Sequence, residues 1–203
     1  MNIQLPSNIL WLGMTGSGKT YAFREMYKKY WKHQVKLTYL ISPTAVYSGD
    51  FDGIIDDKYI LSDMELAKSK IVEIKNFCEQ QKLKKRNYPV MLIIDDGLGV
   101  VNFNEPYFCN LIAMSRHINL TIVILIQNLT RFLSPTLRNN LSYLFIAKIA
   151  DSNYKCLYEL AGCWDKYTEM KKYLKENLVN YNQILIDKKD INCNEPKIFN
   201  AIR

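Results

Sequence analysis

Residues 12–20 read LGMTGSGKT. From Gly13 through Gly18, Lys19 and Thr20 the spacing is G-x-x-x-x-G-K-T, that of a loop whose backbone amides cradle phosphate. Such a loop must aim several N–H groups at one anion, which calls for positive φ and a close backbone approach that glycine tolerates best. Gly13, Gly16 and Gly18 meet that need. Lys19 brings a cation to the β- and γ-phosphates, Thr20 offers a hydroxyl to Mg²⁺, and a helix starting here adds the positive end of its dipole. Thr15, Ser17 and Tyr21 complete the expected nucleotide contacts.

The flanks agree with that reading. Upstream, NILWLG at 8–13 is a short apolar run suited to a buried strand; downstream, TYAFREMYKKYWK at 20–32 has helical spacing. A strand, a glycine-rich loop and a helix in that order are the context the motif requires.

Outward from the loop, strands and helices alternate. KLTYLISP at 36–43 reads as a second strand ended by Pro43, and KYILS at 58–62 as a short third extended piece. Ser62 or Asp63 is placed to cap a helix from about Met64 to Lys85. PVMLIIDD at 89–96 is too uniformly apolar for a half-exposed strand and suits a central parallel one. A helix from about Glu105 to Arg116 leads to the strand NLTIVILIQN at 119–128. SPTLRNN at 134–140 is a short turn or helix, LSYLFIAK at 141–148 a strand, SNYKCLYELAG at 152–162 a helix closed by Gly162, and YNQILIDKK at 181–189 a last strand. This order predicts a mainly parallel central sheet with helices on both faces, a three-layer α/β/α P-loop fold. The whole chain, 1–203, reads as one P-loop domain, with a nucleotide-binding core over about 8–150 and C-terminal helices and the last strand over 151–203.

In such sheets the ligand sits at the carboxyl ends of the strands. The strand VMLIIDD ends in Asp95 and Asp96, so that apolar residues bury the strand while its tip carries acids. Asp95 is assigned to Mg²⁺ and Asp96 to orienting or deprotonating the attacking water. DDG is also a turn signature, and capping a loop is the other role open to Asp96. Gln127, after TIVILI, supplies an amide that can sense a γ-phosphate and position water without changing the charge.

Composition narrows the class. The chain is 48% hydrophobic and 23% charged, without low-complexity tracts, as in ordinary globular proteins. The longest apolar run, Leu120 to Ile126, falls far short of the ~20 residues of a membrane span, and the N-terminus lacks a signal-peptide pattern. An intracellular protein with no membrane partner is expected. Five scattered cysteines and two histidines show no zinc spacing, so reduced and mostly buried thiols are expected. The net charge of +7 suits a polyanionic partner, with clusters at Tyr27–Lys36 and Lys82–Arg86. Each cluster is either a solvated face or a set of phosphate contacts.

Taken together, GMTGSGKT, MLIIDD, VILIQN within MSRHINLTIVILIQN, and RFLSPTLRNNLSYLFIA resemble the DNA-packaging ATPases of the poxvirus type, found in large DNA viruses and virophages within the FtsK/HerA superfamily. The resemblance spans roughly residues 8–150. It implies an ATPase with ATP and Mg²⁺ as cofactors that assembles as a homo-oligomeric ring, a pentamer or hexamer, and drives double-stranded DNA into a preformed capsid at its vertex. It implies a location in the cytoplasm of the infected host cell, at the site of viral assembly, or on the virion. Gly13, Gly18, Lys19, Thr20, Asp95, Asp96 and Gln127 carry over as site residues. Many relatives have glutamate where Asp96 stands. Ring ATPases of this kind also use an arginine from the neighbouring subunit, and Arg116 and Arg138 are the two candidates. The rival readings are another translocase of the same superfamily, a small-molecule kinase with LTRFLSPTLR at 129–138 as its lid, and a non-hydrolysing nucleotide switch.

Overall fold

Strands rich in Ile, Leu and Val, apolar on both faces, can only be satisfied inside a sheet covered on both sides. In the computed structural model, which describes residues 3–63, 65–95, 101–129, 134–189 and 196–200, they form such a sheet. The parallel strands are β1 (Asn8–Leu12), β2 (Leu37–Ile41), β3 (Ile60–Leu61), β4 (Val90–Asp95), β5 (Leu120–Ile126) and β6 (Tyr143–Ile146). β7 (Asn182–Asp187) and β8 (Lys197–Asn200) extend the sheet by antiparallel pairing, giving the order β3-β2-β4-β5-β1-β6-β7-β8. The mainly parallel sheet agrees with the reading from sequence. β8 is an addition, since the last strand expected there was the one that became β7.

Each strand sends alternate residues to opposite faces. Leu10 and Leu12 of β1 join one core cluster with Val90, Leu92 and Ile94 of β4. Covering that face are α3 (Ala67–Leu83), α4 (Pro106–Met114), α5 (Pro135–Asn140), α6 (Tyr154–Ala161) and α7 (Tyr167–Asn177). Ile9 and Trp11, with Met91 and Ile93, face the other way, onto α1 (Lys19–Met26) and the segment at 51–55 that follows the short α2 (Ala45–Ser48).

Trp11 organises this second face. Its ring stacks on Phe145 at 4.1 Å and meets Phe23 edge-on at 6.0 Å. Its indole N–H donates to Gln183 Oε1 at 2.6 Å. Aromatic pairs of this kind add ~0.5–1.5 kcal/mol beyond their buried area.

The helical spacing expected through residue 32 is present with a change of pitch, because Tyr27–Trp31 is a π turn, with Lys32 N–H donating to the Tyr27 carbonyl. Phe23, Tyr27 and Trp31 stand four residues apart, and on an α-helix each step would rotate the ring by roughly 40° away from the sheet. A wider turn keeps Phe23 within about 6 Å of both other rings. α3 begins at Ala67, later than expected, because Asp63 accepts a hydrogen bond from Glu65 N–H in a local turn and Leu66, not Ser62 or Asp63, is the N-cap. Ser134 caps α5 by accepting from Leu137 N–H, and Gly162, at φ 66°, closes α6.

Among the described cysteines only Cys78 is buried, where desolvation pushes its thiol up to about 12; Cys109, Cys156 and Cys163 are half-buried. The expectation of mostly buried thiols is therefore corrected: three of these four are only partly buried, Cys109 on α4, Cys156 on α6 and Cys163 just after it. Cys193 lies outside the described residues.

Candidate active site

β1 lies between β5 and β6, with Leu12 level with Ile126 on one side and Ile146 on the other. The chain leaves β1 at Gly13, whose N–H donates to the Ile126 carbonyl at 3.0 Å, while Met14 N–H donates to Lys148 at 2.8 Å. The loop is therefore hung from the ends of both neighbouring strands. Gly16 and Gly18 take φ of 72° and 78°, and Gly18 is the N-cap of α1 in the left-handed region that glycine enters without a steric cost. The first turn of α1 then carries the half-buried Thr20 and the exposed Tyr21, and Lys19 is packed inward at 6% exposure.

The loop fits a phosphate on two observations. A Cβ at Gly13 would stand 2.5 Å from Ser17 Oγ and 2.8 Å from Ala147 Cβ, so the approach of the chain at this point is reserved for glycine. Ser17 Oγ itself is buried and has no hydrogen-bond partner among the described residues. A buried hydroxyl left in that condition is costly unless a ligand meets it.

Asp95 ends β4 at 4% exposure, level with Leu125 of β5, which is in turn level with Trp11 of β1. By strand alternation it shares the face of Met91 and Ile93, the face covered by α1, so it stands on the same side of the sheet as Lys19 and Thr20. Gln127 leaves β5 one residue beyond the level of Leu12, and its Oε1 accepts from Thr15 Oγ1 at 2.9 Å. The phosphate loop, Asp95 and Gln127 thus come together at the carboxyl edge of three neighbouring strands. Asp96 lies outside the described residues, as does the part of the 129–138 segment at 130–133.

The two arginines lie elsewhere. Arg116 is exposed in a 3₁₀ turn, Ser115–Ile118, that is tied to the opposite edge: Ser115 Oγ donates to Asn8 Oδ1 at the start of β1, and Val90 N–H donates to the Asn119 carbonyl. Arg138 is half-buried on α5, 3.8 Å from Glu159 of α6. A partly exposed pair of that length is worth less than ~1 kcal/mol, so the guanidinium is held only loosely.

Three supports escaped the sequence reading. Gln183 of β7, fully buried, reaches from Trp11 to the Gly18 carbonyl, which its Nε2 contacts at 3.3 Å. Tyr181 lies with its ring against Gly18, 3.2 Å from where a Cβ would be. Asn153, also fully buried, accepts from Leu129 N–H at 2.7 Å and donates to the Gln127 carbonyl at 3.1 Å, fixing the path of the chain as it leaves β5. None belongs to a local motif; each comes from a segment at least 24 residues away.

Solved structures share this architecture. The DNA-packaging ATPase B204 from Sulfolobus turreted icosahedral virus superposes with a TM-score of 0.67 at 16% identity, covering 97% of this chain and 98% of that one. The genome packaging NTPase B204 from Sulfolobus turreted icosahedral virus 2, in complex with AMPPCP, gives 0.64 at 16% identity over the same shares. EssC (ATPases 2 and 3) from Geobacillus thermodenitrificans gives 0.55 at 16% identity, covering 79% of this chain and 35% of that one. No curated protein sequence matches the chain. The family described as Poxvirus A32 protein matches residues 3–199, and with nearly the whole length accounted for, the chain belongs to that family.

Proposed function

We propose that this chain is an ATP-hydrolysing motor that packages double-stranded viral DNA into a preformed capsid. The observation that carries the proposal is the convergence of the phosphate loop, Asp95 and Gln127 at one sheet edge in a member of the poxvirus A32 family. The packaging ATPases among its structural neighbours, one of them holding AMPPCP, support the same reading.

In this scheme the loop amides and Lys19 bind and orient the triphosphate, while Asp96 and Gln127 direct water at the γ-phosphate. The oxygen donors Thr20 and Asp95 suit Mg²⁺, which when bound would neutralise charge on the phosphate oxygens. We assign Thr15 to holding Gln127, through the hydrogen bond between them. Arg116 and Arg138 are the two candidates for an arginine acting on a neighbour's site in a ring, since both stand away from the phosphate loop of their own chain, near residues tied to Asn8 at the start of β1. The subunit number, pentamer or hexamer, the capsid vertex and the cytoplasmic or virion-associated location belong to this same proposal. Among the described residues no helix is long and apolar enough to cross a membrane.

The DNA contacts are assigned to the opposite edge. The two basic clusters of the sequence meet there: Lys36 N–H donates to the Pro89 carbonyl, bringing the end of the Tyr27–Lys36 cluster beside the strand that follows Lys82–Arg86. Lys32, Lys36, Lys82, Lys84, Lys85 and Arg86 are all exposed. No acid occurs in 26–49, 80–94 or 106–150, the segments that supply the amino ends of β2, β4 and β5. The fold brings Asp56 into one cleft with Lys32 and Lys36, and the lysines and Arg86 outnumber it; a predominantly basic surface suits a backbone-tracking contact that ignores sequence.

The test is displacement of a third-strand oligonucleotide from a duplex. The wild type should displace it only with ATP, and Lys19→Ala should not displace it at all. Displacement without nucleotide, or at the wild-type rate in Lys19→Ala, would contradict the proposal.

A further inference from the structure

Beside the phosphate loop, on the flank of β1 away from Asp95 and Gln127, opens a cavity of about 680 Å³. Its walls include Gly16 and Ser17 of the loop, Ile149 and Tyr154 after β6, and Leu178 and Tyr181 before β7. The volume is within the ~300–1,000 Å³ of small-ligand sites, and the walls combine apolar and aromatic side chains with loop backbone and the charged Lys148, Asp151 and Lys175.

Direction decides what it holds. The groups assigned to the γ-phosphate stand on β4 and β5, to one side of β1, whereas β6 and β7 stand on the other. A nucleotide whose phosphates lie along the loop with the γ end toward Asp95 must carry its nucleoside toward β6 and β7. That is where the cavity lies.

Tyr181 has the placement of a stacking residue. It is 55% exposed, yet its backbone is in the left-handed region at φ 59°, next to Asn180 at 52°. Bulky residues seldom adopt that conformation, and it persists only where the surroundings impose it. Here Asn200 of β8 imposes it, donating to the Asn180 carbonyl at 3.1 Å and to Asn182 Oδ1 at 2.9 Å. The strand added to the sheet edge thus braces the turn that presses an aromatic ring against the phosphate loop.

We infer that the cavity takes the nucleoside end of the bound nucleotide and that Tyr181 stacks on its base. The inference rests on the nucleotide-binding reading of the phosphate loop. The experiment compares binding of ATP with binding of inorganic tripolyphosphate, which keeps the phosphates and lacks the nucleoside, in wild type, Tyr181→Ala and Tyr181→Phe. Loss of one base–aromatic stack should weaken ATP binding ~10-fold or more in Tyr181→Ala. Tripolyphosphate binding should be unchanged in that variant, and Tyr181→Phe should bind ATP like the wild type. Unchanged ATP affinity in Tyr181→Ala overturns the inference, and so does an equal loss for both ligands, which would make the ring a brace for the loop. A wild type that binds neither ligand overturns the phosphate-loop reading itself, a result distinct from both of these.

Discussion

A single methyl group at Gly13 would strike Ser17 Oγ and Ala147 Cβ, and the requirement for glycine there comes from this crowding and not from φ. Gly16 meets nothing within 4 Å but needs its positive φ, so two glycines of one motif are fixed by different physics. Gly13→Ala should therefore shift β6 against the loop, lowering stability by ~1–3 kcal/mol as overpacked sites do, and weakening nucleotide binding. Denaturant unfolding and ATP titration check this; a variant unchanged in both would mean that the loop has slack the geometry does not show. At this scale the sequence was highly readable where chemistry is local. The spacing from Gly13 to Thr20 is dictated by one anion, so the loop could be named before any fold. Gln183 and Tyr181 could not, because their approach to Gly18 depends on how β7 joins the sheet.

Elements were readable where burial is strong. β1, β4, β5 and β6 are continuous apolar runs, and no other environment accepts them. β8 was not readable, since KIFN is four residues long and half exposed, and its existence depends on the edge that β7 offers. The π turn was hidden too, because four-residue spacing of Phe23, Tyr27 and Trp31 also fits an α-helix. The connection after β5 shows how an element can serve the site at a distance. Asn153 is the sole residue of its 3₁₀ turn that is buried, and it satisfies one donor and one acceptor of the strand exit. Asn153→Ala should cost ~1–3 kcal/mol for leaving buried polar groups unpaired. By loosening Gln127 it should lower turnover more than nucleotide affinity. Asn153→Asp keeps the acceptor for Leu129 N–H and should recover part of the stability. Equal turnover in wild type and Asn153→Ala would remove any role for this clamp in placing Gln127.

Across the whole molecule the parallel strands separate two kinds of surface. At their carboxyl ends stand the phosphate loop, Asp95, Gln127 and the cavity; at the amino ends of β2 and β4 lie the two basic clusters. The alternation of strands and helices made the first edge predictable from sequence, since ligands in such sheets lie at carboxyl ends. The second could be read only as two separate clusters, because their meeting depends on β2 lying beside β4. In the proposed function, hydrolysis at one edge drives movement of a duplex tracked through phosphate contacts at the other. The most direct test of that coupling is the ATP hydrolysis rate with and without double-stranded DNA across a salt series, in wild type and in a variant with Lys82, Lys84, Lys85 and Arg86 replaced by serine. The predicted result is a wild-type rate raised by duplexes of unrelated sequence, a stimulation that fades as salt rises, and a shallower salt dependence in the variant. A rate indifferent to duplex DNA at every salt concentration, with the γ-phosphate passed to a small acceptor in place of water, would contradict it.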